Sequence, residues 1–535
     1  MQSVHPSYPK NILHTLLTSK SNLKLNINLI SKTTQIPPNP CIFALLNVCF
    51  QNELLTYESL LMFGLDLTHL SSGLTILFVI SILVVFAFEF VNGFHDTANA
   101  VATVIYTKTL KPTTAVVWSG FMNLCGVLVS SIYGYDVAMK IAALVPVEAL
   151  MGQTVAQAAC MMLAILLSAV IWNLATWYFG IPCSSSHTLI GALLGAGMVF
   201  SMLPENTQHV GINWAEAGKI GTALLFSPAF GFTMAISLMF ILRMAVTNKE
   251  KRQQLFKEPD VDAEPPMWIR AILITTCTLV SFFHGQNDGQ KGLGLLLVTL
   301  MTFAPLQFAL SPDFSADKIN KSLTEIQAQL QSKEVAEGLA PKELTKSVET
   351  IELLKQDIAV MQPTDVKSKL NVRKRIGILT KHLKTLLEEP NVITDKKARE
   401  VIKHESKTLS KTTQHVPFWG LLCISLALGF GTMIGWKRIV VTIGEKIGKR
   451  HMTYAEGATA ELIAATTIGL ASQFGLPVST THVLSSGVAG SMVASKGVKN
   501  LQRGTVSNIA LAWVLTLPVT ILLSGSLFLF FRLFA

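Results

Sequence analysis

Two short stretches of this chain set charged and amide side chains inside otherwise apolar sequence. Residues 92–100 read NGFHDTANA and residues 284–292 read HGQNDGQKG; each places an aspartate three residues after a glycine, at Gly93/Asp96 and Gly285/Asp288. Glu89 lies in the apolar run just before the first stretch. Charges at membrane depth are costly and usually functional. Asp96 and Asp288 are suited to bind a proton, Na⁺ or a divalent metal carried by a substrate, with Asn92 beside them. The amides of Asn99, Asn287 and Gln290, with Lys291, can donate to the oxygens of a phosphate-like anion. Gly93 is expected to break its helix so that carbonyls and carboxylate converge on a cation. The plainer reading is that these residues cap helices at the membrane surface.

A second pair of motifs supplies hydroxyls. Residues 179–188 read FGIPCSSSHT and residues 474–483 read FGLPVSTTHV. Pro182 and Pro477 suit a first helical turn, where a missing N–H costs nothing. Ser184, Ser185, Ser186 and Thr188 follow the first proline, and Ser479, Thr480 and Thr481 the second. Such hydroxyls cap a helix, and a helix N-terminus surrounded by hydroxyls binds anions. His187 and His482 stand beside the two tips as candidate proton carriers. Each piece, about twenty residues with a polar tip, is expected to form a re-entrant hairpin. Alternatively it is an ordinary helix whose hydroxyls bond back to their own backbone.

The elements that position these motifs come in two sets. Asp96 and His187 are 91 residues apart; Asp288 and His482 are 194 apart, or 88 once a charged insertion at 311–416 is removed. Matched spacing predicts a duplication of the kind on which many membrane carriers are built. Hydrophobic residues make up 50% of the 535-residue chain and charged residues 14%, and 34 of the 76 charged residues fall between Ser311 and Val416. The fold expected is an all-α polytopic membrane protein with about ten to twelve membrane elements in two inverted repeats, containing broken helices and re-entrant hairpins, plus one soluble helical insertion. The boundaries are 1–61, an N-terminal extension expected to be disordered or untranslated ahead of Met62; 62–245, a first transmembrane repeat; 246–267, a basic linker; 268–310, the start of the second repeat; 311–416, the insertion; and 417–535, the rest of the second repeat. Within the insertion, Leu344, Val348, Ile351, Ile358 and Met361 share one helical stripe, and Ile376, Leu379, Leu383 and Leu386 another.

Composition excludes several classes. The formal charge of +10 reads as loops held on the cytoplasmic side of a membrane and not as nucleic-acid binding. On that reading the insertion and the basic segment Lys249–Lys257 both lie in the cytoplasm, which requires residues 268–310 to cross twice or turn back at Gly285–Gly289. The seven cysteines form no CxxC pair and read as small core residues. No GxxxxGK[ST] loop occurs, so an ion or substrate gradient must supply the driving force. No cofactor and no fixed metal site are expected. Glu461, Asn123 and Asn173 stand inside apolar stretches; each is either a ligand on a transport path or a helix–helix hydrogen bond, with Glu461 favoured as a coupling residue.

The stretches NGFHDTANAVATVIYTK (92–108), WYFGIPCSSSHTLIGA (177–192), HGQNDGQKGLGL (284–295), GTMIGWKRI (431–439), TIGEKIGK (442–449) and GLPVSTTHVLSSGVAGS (475–491) resemble the inorganic phosphate transporter (Pit) family, most of all its bacterial low-affinity members, from about Gly73 to the C-terminus. The resemblance implies an inverted-repeat, usually dimeric carrier in the bacterial inner membrane. Its substrate site would be built from both Asp motifs and both hydroxyl hairpins. In sodium-using relatives, acids match Asn123 and Glu461; with Asn at 123, the resemblance implies proton symport of phosphate as a neutral complex with a divalent metal. Competing readings are a sodium-coupled carrier, a carrier of another oxyanion such as sulfate, an anion channel, and a membrane phosphohydrolase using His95 and Asp96.

Overall fold

The computed structural model describes residues 65, 67, 70–144, 154–204, 206, 211–260, 264–331, 342–389 and 392–535. The expected N-terminal extension 1–61 and the start at Met62 lie outside them. The described residues form helices and include no strand; an isolated bridge pairs Gly448 with Leu501. In chain order come α1 (Ser72–Tyr106), α2 (Pro112–Tyr133), α3 (Asp136–Ala142), α4 (Val155–Tyr178), α5 (Ser185–Ser201), α6 (Trp214–Ala245), α7 (Lys249–Leu255) and α8 (Met267–Phe303). After α9 (Pro305–Phe308) the inserted helices α10 (Ala316–Leu330), α11 (Lys342–Val360), α12 (Val366–Glu388) and α13 (Lys396–Lys411) follow. The chain ends with α14 (Phe418–Met433), α15 (Lys437–Glu445), α16 (Tyr454–Gln473), α17 (Thr480–Lys496) and α18 (Arg503–Arg532).

The two Asp motifs sit on α1 and α8, and neither helix is broken. Gly93 and Gly285 therefore do something other than the break expected of Gly93. A Cβ on Gly93 would strike the Leu428 carbonyl of α14, and one on Gly431 of α14 would strike the Phe90 carbonyl of α1. On the other side, Gly285 of α8 lies against the Asn123 carbonyl of α2, and Gly126 of α2 against the Phe282 carbonyl of α8. These glycines let backbones approach closely, as small residues do between membrane helices. That packing outweighs the roughly 1 kcal/mol a mid-helix glycine costs.

The contacts of α1 and α8 fix their relative direction. Glu89, seven residues before Asp96, lies against Gly292, four residues after Asp288. Thr103, seven residues after Asp96, and Thr276, twelve before Asp288, both bond Glu461. The two helices therefore run antiparallel.

Helix α4 turns through residues 179–184 into α5, and α16 through 474–479 into α17. Gly180 (φ 66°) and Gly475 (φ 62°) make the two turns with the same left-handed backbone. Pro182 and Pro477 lie two residues ahead of the N-caps, in the extended segment and not in the first helical turn. The N-caps are Ser184 and Ser479, whose hydroxyls accept from the His187 and His482 amides. Packing crosses between the matched sets: α1 lies on α14, α8 on α2, α5 on α18 and α17 on α6. Both α6 and α18 carry an internal proline, Pro228 and Pro518.

Six described helices are long and apolar enough to cross a membrane: α1, α2, α4, α6, α8 and α18. The pair α14 and α15, bent by 61°, makes a seventh. This is fewer than the ten to twelve elements expected. One reason is that the apolar runs at 268–283 and 292–310, expected as two spans, are joined by α8. Short α5 and α17, with α16, complete the packed body.

The inserted helices follow the expected stripes. Ile351, Leu354 and Ile358 of α11 meet Val372, Ile376, Leu379, Leu383 and Leu386 of α12 in a core of their own. Lys369 and Arg373 of α12 donate to the Leu306 and Ala309 carbonyls, which ties the insertion to the chain end that enters it.

An unbroken α8 of 37 residues is roughly 55 Å long at 1.5 Å per residue, against about 30 Å of bilayer core. The linker 246–267 and the insertion leave from its opposite ends, and the turn at Gly285–Gly289 on which the shared-side expectation depends does not occur. Single cysteines at Lys251 and Gly377, both exposed, test this in a background without reactive native cysteines. An impermeant thiol reagent added to intact cells should label one of the two. Labelling of both would show that α8 does not cross.

Candidate functional site

The two aspartates meet in the interior, buried with their surroundings. The Ser185 hydroxyl, on the first turn of α5, lies 3.1 Å from Asp96 Oδ2 and 3.4 Å from Asp288 Oδ2, so its single proton is shared between two carboxylates. Thr481 Oγ1, from the opposite hairpin, donates to Asp96 Oδ1 at 2.6 Å. Asn99 Nδ2 donates to the same oxygen and to Thr481 Oγ1, each at 3.0 Å. On α8, Lys291 Nζ donates to Asp288 Oδ2 at 2.6 Å and to Ser185 Oγ at 3.3 Å. Asn99 and Lys291 each sit three residues after their aspartate, on the same helical face. Asp288 Oδ1 and Asn99 Oδ1 are buried without a hydrogen-bond partner among the described residues, which leaves two acceptors on cluster residues unsatisfied.

His284, one turn before Asp288, was not among the residues the sequence singled out. Its Nε2 is 3.6 Å from Asp96 Oδ2 and 3.4 Å from Asp288 Oδ2. Ligand atoms of Asp96, His284 and Asp288 lie within 4.8 Å of one another, a set that could hold a metal ion. Its position one helical turn before the aspartate was the available signal. Asn123 holds the imidazole from α2, through His284 Nδ1 at 2.8 Å, and donates to Thr432 of α14 at 2.9 Å. The helix–helix reading of Asn123 fits, with the addition that it orients a site residue. Asn173 is buried in α4, away from these contacts.

Several expected ligands serve the frame. Asn287 donates to Ser472 Oγ at 3.0 Å and the Leu476 carbonyl at 3.1 Å, bracing the second hairpin. His95, at the matching place on α1, pairs with Thr176 of α4 at 3.2 Å. The Gln290 side-chain oxygen Oε1 accepts from the Val137 and Ala138 backbone amides at the start of α3. Ser186 bonds the Val478 carbonyl at 2.8 Å, and Thr188 bonds back to the Ser184 carbonyl at 2.9 Å. Ser184 and Ser479 are caps, and Thr480 is buried at the second tip. Asn92 Nδ2 donates to Glu89 Oε2 at 3.4 Å, one turn before Asp96.

Two further sets lie apart. Glu461 of α16 accepts from Thr103 of α1 and, at 2.5 Å, from Thr276 of α8. Seven residues along α1 put it roughly 10 Å beyond Asp96. His187 and His482 face each other with ring centroids 4.5 Å apart, and His482 stacks on Trp513 at 4.0 Å. No spacing in the sequence announced Trp513.

A membrane body of helices around a buried polar centre, closed by two hydroxyl-tipped hairpins, has the construction of a secondary transporter. The model of the phosphate transporter family matches residues 92–524, and the chain belongs to that family. It is 38% identical to the low-affinity inorganic phosphate transporter PitB of Escherichia coli K12, over 87% of this chain and 97% of the relative. It is 37% identical to PitA of the same organism, over 86% and 98%. A solved sodium-dependent phosphate transporter shares the fold, with a TM-score of 0.50 and 21% identity over 86% of this chain and all of that one.

The two aspartates should respond differently to amide replacement. Asp96→Asn should abolish uptake and leave a folded protein, because no lysine or arginine depends on its carboxylate: its neighbours are the hydroxyls of Ser185 and Thr481, the Asn99 amide and the imidazoles of His95 and His284. Asp288→Asn leaves the buried Lys291 ammonium without its carboxylate, a loss of about 3–5 kcal/mol, so it should also lower the melting temperature in detergent. Adding Lys291→Met should restore the melt but not uptake. Uptake close to wild type in either single variant would remove that aspartate from the site.

The hydroxyls should separate as well. Ser185→Ala removes a donor to charged acceptors, worth about 1.5–3 kcal/mol, or roughly 10- to 100-fold in substrate affinity. Ser186→Ala, which loses one bond to a carbonyl, should cost tenfold or less. Comparable KM values for the two would contradict the geometry.

Proposed function

We propose that the chain carries inorganic phosphate across the membrane by alternating access of two inverted halves, and that Asp96, Asp288, Ser185, Thr481, Asn99, Lys291 and His284 form the substrate site. The observation that carries this reading is Ser185: one hydroxyl from a hairpin tip joins carboxylates from two antiparallel, sequence-matched helices. Antiparallel α1 and α8, paired hairpins and crossed packing all support an inverted repeat. The hairpin tips are used unequally, Ser186 on a backbone carbonyl and its counterpart Thr481 on Asp96, as suits a carrier facing one side.

Phosphate brings negative charge, and two carboxylates would repel it. A divalent cation entering with phosphate resolves the conflict. Asp96, His284 and Asp288 offer it oxygen and imidazole ligands, which suit several divalent metals, while Lys291, Asn99 and the hydroxyls donate to phosphate oxygens. The neutral complex also avoids about 2.3 kcal/mol per unit charge per 100 mV of membrane potential. Glu461, held by two threonine hydroxyls, is the proposed site of the coupling proton. The same carboxylate and hydroxyl oxygens would also hold a small cation, which favours sodium as the second reading. A homodimer, implied by family resemblance, belongs to the same proposal.

The charges favour one orientation. Lys108 and Lys111, Arg243, Lys249, Lys251, Arg252, Lys257 and Arg270 all lie at the end of the body where α1 finishes and α8 starts. By the positive-inside rule that end is cytoplasmic, and the insertion then faces outward.

Proteoliposomes with imposed gradients test the coupling. Uptake of radiolabelled phosphate should follow an inward proton gradient, require Mg²⁺ or another divalent ion, and ignore sodium. A response to sodium in metal-free buffer would overturn the coupling and leave phosphate transport standing. Sulfate uptake at the phosphate rate would overturn the substrate.

A further inference from the structure

At the end of α6 the lipid-facing surface runs directly into a basic pocket. Phe240, Ile241 and Met244 are 52%, 53% and 72% exposed on α6, and Met267 at the start of α8 is 78% exposed. Beside them Arg243, Lys249, Arg252, Gln253 and Phe256 line a pocket of about 380 Å³. Trp268 donates its indole N–H to Gln254 of α7 at 3.3 Å, which places a tryptophan at the level where such rings mark the membrane–water boundary.

The cations here are of two kinds. Arg243 is fixed: it donates to the Ser495 carbonyl at 3.2 Å and stands over the Phe256 ring at 5.6 Å. Lys249 and Arg252 have no carboxylate in ion-pair contact among the described residues. The nearby acids are engaged elsewhere: Glu258 with Lys496 at 2.6 Å, Asp260 with Lys257 at 3.2 Å, and Glu264 with Arg270 at 2.5 Å. Glu250 of α7 is exposed and does not line the pocket. Among the described residues, three cations thus face a concavity whose one neighbouring carboxylate outside an ion pair is Glu250, with an apolar wall leading into the bilayer.

We propose that this pocket binds the headgroup phosphate of an anionic phospholipid, whose acyl chains lie along Phe240, Ile241 and Met244. Basic clusters at membrane ends bind anionic headgroups; here Arg and Lys donors meet phosphate and the exposed α6 side chains meet the tails. A free anion would use the pocket but not that wall, so the wall selects the lipid.

Native mass spectrometry of the purified, delipidated full-length chain tests the site. Phosphatidylglycerol or phosphatidylcholine is titrated in, with and without millimolar inorganic phosphate. The wild type should retain phosphatidylglycerol over phosphatidylcholine, and inorganic phosphate should not displace it. The double variant Lys249→Gln/Arg252→Gln should retain phosphatidylglycerol on the order of tenfold less well, with an unchanged melting temperature. Should that variant fold poorly, Arg252→Gln alone should show a smaller loss of the same sign. Equal retention by wild type and folded variant, equal retention of the two lipids, or displacement by inorganic phosphate would each overturn the proposal.

Discussion

Two carboxylates share one serine hydroxyl in a place that water scarcely reaches. Left alone, Asp96 and Asp288 would repel each other and suffer desolvation, each worth several kcal/mol in a medium of low polarity. The surrounding structure answers that problem. Lys291 lies on Asp288, hydroxyl and amide donors lie on Asp96, and His284 stands between the two. Every one of these partners must be held to within a few tenths of an ångström. That need explains the close glycine contacts of α1 with α14 and of α8 with α2, and the brace that Asn123 places on His284. The frame serves the carboxylates.

The antiparallel course of α1 and α8 gives the centre its form. Because one Asp helix runs opposite to the other, each hairpin tip reaches the centre between the two. Ser185 comes from one side and Thr481 from the other. Residues at matching sequence positions then take up complementary tasks: Asn99 and Lys291 satisfy their aspartates, Asn287 braces the second hairpin, and His95 links Asp96, 3.6 Å from its Nδ1, to Thr176 of α4.

Much of this was legible in the sequence, because a weak motif that occurs twice at matched spacing becomes a strong one. The paired aspartates, the Ser/Thr tips and the insertion's core stripes all follow from residue type and spacing. What failed was local inference about glycine. Read alone, Gly93 and the Gly285–Gly289 stretch suggest breaks. Both helices stay unbroken, and Gly93 and Gly285 meet a neighbouring backbone that no sequence window contains. The division of labour among hydroxyls was equally hidden. Whether a serine bonds a carboxylate, a carbonyl or its own turn depends on where the opposite hairpin ends. Trp513, stacked on His482, was hidden for the same reason.

The crossed packing also bears on how the protein is made. The first Asp helix finds its covering partner only in α14, more than 300 residues later, and the first hairpin finds its own only in α18. While the ribosome is still working on the insertion, Asp96 has left the translocation machinery but the hydroxyl from Thr481 does not yet exist. During that interval Asp96 has only the partners made before the insertion, Asn99, Ser185 and His284, and lacks the short bond from Thr481. The final packing of both halves is therefore a late, concerted event that awaits the last helix.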